Sequence, residues 1–287
     1  MHQPPSSGDL ESIRILVNNR PEADFCGLTP NEMFGLIYST YSEQSPIKIN
    51  PEIPNVILDS LPFFRLTEEF LRIIQRDKQI KLTPLGALPK KTMVELYNHR
   101  LILEEGVEHG IHKLTREQDS MAITALHFNT VFAGLIRKSA GKLVLTKEGT
   151  RLLLPEHRNQ LFRKVFESYT DKLPWSSIDG YPEIPIGNMG WGFTMLLLLK
   201  FGDISREDNF YADFYFKAFP DFTQTYTPLQ YSTPAQQMIR CYCFRTFDHF
   251  LEWWGLVKVM DKKIGADREQ IRVVRTEAVK EIFGLEE

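Results

Sequence analysis

Three groups of residues in this chain have types and spacings that could do chemistry. His109 and His112 stand in an HxxH spacing with Glu105 and Glu108 beside them. On a helix such histidines could share a metal ion. Gly106 and Gly110 interrupt the stretch and no third ligand is apparent, so it reads as a polar surface turn. Glu207, Asp208 and Asp213 cluster ahead of an aromatic segment, where carboxylates suit helix capping and the helix dipole better than acid–base catalysis. The third group is cationic. Lys78, Lys81, Lys90 and Lys91 lie in one stretch, and Arg137, Lys138, Lys142, Lys147 and Arg151 in another. Cations clustered in this way could contact nucleic-acid phosphates. Catalytic signatures are missing: no G-x-G-x-x-G, P-loop, G-x-S-x-G or H-E-x-x-H occurs,. Pro220-Asp221 and the distant Asp261-Lys262-Lys263 are too far apart for a nuclease pattern. No catalytic residue, metal ligand or cofactor is expected.

The chain's net charge of -3 hides segregation. Residues 65–100 carry eight Lys and Arg against four Asp and Glu, and residues 137–172 carry nine against four. Together they hold +9, which leaves -12 on the remainder. The pI of about 6.2 argues against an indiscriminate nucleic-acid binder,. A chain of 287 residues, 43% hydrophobic and 25% charged, is also no fibre, disordered tail or polytopic membrane protein,. The opening MHQPPSSGDLE has neither a basic n-region nor an apolar h-region, so no signal peptide is expected. Cys26, Cys241 and Cys243 form no framework and fit a reducing cytoplasm,. Two apart on a helix, the last two point in different directions and read as buried small side chains.

The elements that carry the cations are legible. Thr29 is an N-cap with Pro30 at N1 and Glu32 closing a capping box,. Met33, Leu36, Ile37, Thr40 and Tyr41 follow at helical spacing,. Ser45 to Leu61, with three prolines, reads as an extended connector,. Thr67 then caps a helix through Phe70, Leu71 and Ile74, and a basic turn leads to Ile80-Lys81-Leu82-Thr83, Gly86 and a helix to Tyr97. Sixty-three residues on, LTxxG returns. Val131 to Ile136 is followed by the turn Arg137 to Lys142, the strand Leu143 to Thr146, and Gly149. Read as a diverged repeat, each copy is a helix, a hairpin and a helix capped by Thr83 or Thr146. The glycine of each copy would clear space for another stretch of backbone.

The segment GLIRKSAGKLVLTKEGTRLLL, Gly134 to Leu154, resembles the wing and following helix of bacterial winged-helix regulators. LTPLGALPKK resembles a segment of uncharacterised bacterial proteins with winged-helix-like modules. The resemblances cover about 90 residues and imply a fold without naming an activity. A third hairpin, Val257 to Val259 with Ile271 to Val274, follows the aromatic helix Phe247 to Trp254, with Asp261 to Glu269 as a charged turn and Thr276 as a cap. Pro174 to Gly192 is the expected domain boundary, and beyond it 18 of the 34 aromatics fall between Trp191 and Trp254. That density reads as an aromatic-packed core, or alternatively as a partner groove.

The expected fold is mainly α with short hairpin wings (an α+β class). Residues 1–172 would hold an N-terminal helix and two winged-helix-like units. Residues 173–287 would form an aromatic-rich helical domain ending in a third wing-like hairpin. A winged helix that reads DNA places the helix before its wing in the major groove. Here that helix, MAITALHFNTVFAG from Met121 to Gly134, has no Lys or Arg, and its polar residues are Thr124, His127, Asn129 and Thr130. The leading expectation is a non-enzymatic cytoplasmic protein that binds another protein and does not enter a membrane. The alternative is a DNA-binding regulator using the nine basic residues above. A metal-dependent hydrolase or nuclease, with carboxylates assembled only in three dimensions, is third.

Overall fold

Ile80 and Lys81 form a strand of only two residues, and its choice of partner sets the architecture. In the computed structural model, which describes residues 7–224, 232–260 and 271–285, that strand pairs with the second LTxxG segment. The chain begins with α1 (Ser7–Asn18) and α2 (Pro30–Tyr38), then β1 (Ile47–Ile49) and α3 (Asn55–Asp59). A first unit follows: α4 (Pro62–Asp77), β2 (Ile80–Lys81), α5 (Lys90–Asn98), α6 (Glu105–Glu108), α7 (Met121–Phe132), β3 (Ile136–Ser139), β4 (Lys142–Leu145) and α8 (Lys147–Leu152). The helix α9 (Arg158–Glu167) runs into a π-helical turn and crosses to a second unit. This contains α10 (Trp191–Phe201), β5 (Arg206–Glu207), α11 (Asp208–Ala218), α12 (Pro234–Cys243), β6 (Val257–Met260), β7 (Arg272–Arg275) and α13 (Glu277–Ile282). The strand β8 (Phe283–Leu285) returns to pair antiparallel with β1. The protein is mainly α with small sheets, as its periodicities predict.

Strand pairing corrects the expected repeat. Two hairpin units were expected before residue 172, but the first LTxxG segment makes no hairpin. A two-residue strand cannot fold back on itself; it survives as an edge. Ile80 lies opposite Leu143 and Lys81 opposite Lys142, giving a sheet ordered β2-β4-β3. The second unit repeats this order as β5-β7-β6, with Arg206 opposite Val273 and Glu207 opposite Arg272. This shared order makes α10–α13 the counterpart of α4–α8. Its signature is a threonine clamp. The Thr146 amide donates to the Leu135 carbonyl (2.9 Å) and its hydroxyl to that of Gly134 (2.8 Å). Thr276 does the same to Leu256 (3.0 Å) and Gly255 (2.7 Å). The expected charged turn Asp261 to Glu269 lies outside the described residues.

Local expectations fare unevenly. The capping box of Thr29 and Glu32 is present, and Thr146 accepts the Gly149 amide at the head of α8. Thr67 caps nothing: it lies inside α4 and bonds the Phe63 carbonyl, because Pro62 starts that helix earlier. Thr83 instead closes a turn, its hydroxyl accepting the Ala87 amide. Gly149 meets the expectation of a close backbone, since a Cβ there would lie 2.1 Å from the Leu135 carbonyl oxygen. Gly86 is required for a different reason, a φ of +81° in the Thr83 turn,. The Ser45–Leu61 connector contains β1 and α3.

A single apolar core runs through both units. Trp254, fully buried, touches Phe63 of α4 at 5.2 Å, Phe166 of α9 at 4.8 Å, and Tyr169 at 5.4 Å between ring centroids. The aromatic enrichment is thus largely core packing. Cys241 and Cys243 are buried.

The Pro/Gly-rich stretch before α10, expected as a domain boundary, is instead pinned to the core. Buried Arg245 binds the buried Asp179 carboxylate through Nε (2.6 Å) and Nη2 (3.0 Å), and also donates to the carbonyls of Pro182 and Ile184. The Tyr215 hydroxyl donates to the Met189 carbonyl (2.7 Å) and accepts the Gly187 amide (3.0 Å). These bonds replace water for backbone that would otherwise have to stay at the surface. Breaking the buried pair strands a charge, so Asp179→Ala should cost about 3–5 kcal/mol. Glu148→Ala, which removes the exposed partner of Arg151, should cost less than about 1 kcal/mol. Urea unfolding checks both, and equal costs would refute the assignment.

Candidate functional site

α7 is the helix that precedes the first hairpin, and its polar side chains are all directed inward or onto its own backbone. Ser120 caps it, its hydroxyl accepting the Ile123 amide. The Glu104 carboxylate accepts the amides of Met121 (2.8 Å) and Ala122 (3.3 Å), which is where a helix dipole favours negative charge. Thr124 donates back to the Ser120 carbonyl (2.9 Å), and Thr130 to that of Leu126 (2.8 Å). Asn129 is fully buried and donates to the Val165 carbonyl of α9 (3.1 Å). His127 is buried with Nδ1 2.7 Å from Glu117, whose second oxygen takes the Leu88 amide. The four polar side chains of α7 are therefore occupied within the fold, on the helix's own backbone or on its neighbours.

What α7 presents to solvent is apolar. Met121, Phe128 and Phe132 are 36%, 38% and 44% exposed, with the two phenyl rings stacked. Their spacing of seven and four residues places them along one side of the helix. The sequence reading missed this face, although the absence of Lys and Arg from α7 was the signal. It also missed Leu85, 97% exposed at the tip of the rigid Thr83 turn.

The cations divide into two sets. In an antiparallel sheet directly opposed residues share a face, so Lys81 of β2, Lys142 of β4 and Arg137 of β3 lie on the same outer face. Lys138 points to the other side, its ammonium over Gly86. The hairpin between β3 and β4 turns on Ala140 and Gly141 alone, both at positive φ, so the expected six-residue basic turn is mostly strand. A two-residue turn of this kind fits the sheet's twist. Arg137, Lys138, Lys142, Lys147, Lys78 and Lys81 have no ion-pair partner among the described residues. Arg151 is bound to Glu148 (2.9 Å). Lys90 and Lys91 open α5, away from the sheet face. Arg76 holds the carboxyls of Asp77 and Glu95 below their ordinary range, with Lys91 adding to the field. In the second unit the equivalent face is less cationic: Glu207 stands where Lys81 does and pairs with Arg272 (3.8 Å), while Lys258 stands where Arg137 does.

The remaining candidates are structural. A cleft of about 410 Å³ lies beside α4 and the end of α8, lined by Asp59, Arg65, Glu68, Arg72 and Arg158. Its arginines converge on the buried Glu68 carboxylate, which Arg158 grips through two bonds (2.9 and 3.0 Å). His109 ends the single turn of α6, and Glu108 there is bound by Arg100. Asp208 is buried at the start of α11, its carboxylate accepting the Asn209 amide, while Glu207 and Asp213 are exposed. Glu207 takes the N-cap position of this helix. Among the described residues no group of three or more His, Cys, Asp or Glu could hold a metal ion.

The first unit and the turn that leads into α9 coincide with a known family. Residues 59–160 match the model of the Y4jL N-terminal domain. The match takes in α4 to α8 and stops before the second unit. No curated protein and no solved structure matches the chain.

Burial raises the Glu104 carboxyl above its ordinary range, against the opposing pull of the Ser120, Ala122 and Met121 bonds. The folded state then holds a proton that the unfolded state releases, so stability falls as pH rises from about 4.5 through the raised value. Glu104→Gln, which keeps an oxygen for the Met121 amide, should flatten that fall. Unfolding titrations at several pH values measure it, and an unchanged slope would contradict the assignment.

Proposed function

We propose that this chain is a non-enzymatic, cytoplasmic interaction protein built on two winged-helix-like units, and that α7 of the first unit docks a protein partner. The observation that carries the reading is the orientation of α7. Its polar side chains are spent internally, while Met121, Phe128 and Phe132 form an exposed apolar strip. A helix that reads bases needs the reverse, with hydrogen-bonding side chains free at the surface. Aromatic side chains in such a strip are the usual anchors of protein interfaces. The shared strand order of the two sheets supports the winged-helix likeness. Affinity capture from a native lysate should recover a stoichiometric protein with the wild-type chain and lose it with Phe128→Ser/Phe132→Ser. A captured set that the double substitution leaves unchanged would end this reading.

A second reading, a nucleic-acid contact through the basic sheet face, draws support from Lys81, Lys142 and Arg137 lying together. Lys81→Glu tests it without disturbing the fold, since it copies Glu207 opposite Arg272 in the second sheet. If the face holds phosphates, duplex DNA binding in low salt should weaken. The slope of log K against log salt should fall by about 2, from one cation lost and one neutralised. An identical slope would remove this face from consideration.

A further inference from the structure

We propose that the chain associates with a second copy of itself through the N-terminal helix pair α1–α2. Every residue of α1 from Leu10 to Val17 is exposed. Leu10, Ile13, Leu16 and Val17 are each more than half exposed, at 55%, 52%, 72% and 54%. At 100° per residue they fill a stripe about 120° wide, the width of a helix face that normally lies against a core. Among the described residues this stripe stays at least half uncovered. Asn31 of α2 donates to the side chain of Asn19, just past the end of α1 (3.0 Å).

α2 carries a second exposed apolar pair. Its inner face buries Met33 and Leu36, while Phe34 and Tyr38 stand 61% and 64% exposed with rings 4.8 Å apart. Twelve residues of helix are marginal in water without tertiary packing, so α1 needs a surface to persist.

Two features favour a second copy as the occupant. First, the size fits. Six large apolar side chains, each at least half uncovered, offer about 100 Å² apiece. That comes to roughly 600 Å² per protomer, close to the ~800 Å² per partner of a standard interface once the rim is added. Second, charge does not oppose self-association. From Leu10 to Asn18 the only charged residues are Glu11 and Arg14, and they pair with each other (2.6 Å). A partner recognised by charge would find little on this surface, whereas a two-fold contact needs only a surface that complements itself. This surface is separate from α7, so the dimer and the docking proposal stand or fall independently.

Sedimentation velocity on the full chain tests the idea. The wild type at micromolar concentration should sediment as a dimer. Leu16→Glu and Phe34→Glu, each placing a charge in the contact, should weaken association about 100-fold or more and give a monomer. Glu11→Gln, on the opposite side of α1, should leave the dimer intact. Both glutamate positions are exposed, so the near-UV circular dichroism bands of the buried tryptophans should be unchanged in the variants. A wild-type chain that stays monomeric at about 100 µM would overturn the proposal. So would a dimer that survives both substitutions.

Discussion

The aromatic joint around Trp254 is the contact on which the arrangement of both units rests. Its indole is enclosed by Phe63 from the first unit and by Phe166 and Tyr169 from the crossing segment. Edge-to-face and tilted ring pairs of this kind add to the apolar burial they accompany. Because α9 lies at the joint and α7 is bonded to α9 through Asn129, the orientation of α7 is set from within the core. The inward commitment of its polar residues follows from that. A helix held on one side by α4 and on another by α9 leaves only a narrow strip for solvent.

The two sheets share order and register, and their outer faces differ in charge. In one, Lys81 faces Lys142; in the other, Glu207 faces Arg272. Like charges directly opposed across a pair of strands cost stability, and opposite charges recover it. The first sheet therefore keeps an unfavourable local arrangement that the second has relieved. The second sheet, with Glu207 in place of a lysine, provides a comparison within the same chain.

Sequence reasoning recovered what local chemistry controls. The capping box at Thr29, the threonine at the head of α8, the hairpins and the close approach at Gly149 depend on residues near in sequence, and they were legible. What it misjudged depends on distant pairing. The 63-residue repeat joined two halves of one sheet, because a strand of two residues looks the same whether its partner is adjacent or 60 residues away. The Pro174–Gly192 stretch has the composition of a linker. Its ties to Arg245 and Tyr215 come from a helix more than 50 residues later and from α11, and no local pattern announces them. The nine basic candidates can be named from the sequence, but strand register decides which share a face. The α7 strip required knowing which side of that helix α4 and α9 cover.

The pairing of β1 with β8 has a consequence for synthesis. Ile47 to Ile49 find their strand partners in Phe283 to Leu285, and the Asn50 amide bonds the Ile282 carbonyl. On a ribosome that makes the chain from its amino end, the first strand is finished long before its partner emerges. Until then its edge is open, and the segment around it has no final place. The two units between can complete their local pairings first, since domains tend to fold as units during translation. Pairing of β1 with β8 follows them, and a chain interrupted before β8 would carry an unpaired strand edge, the kind of surface on which nascent chains associate,.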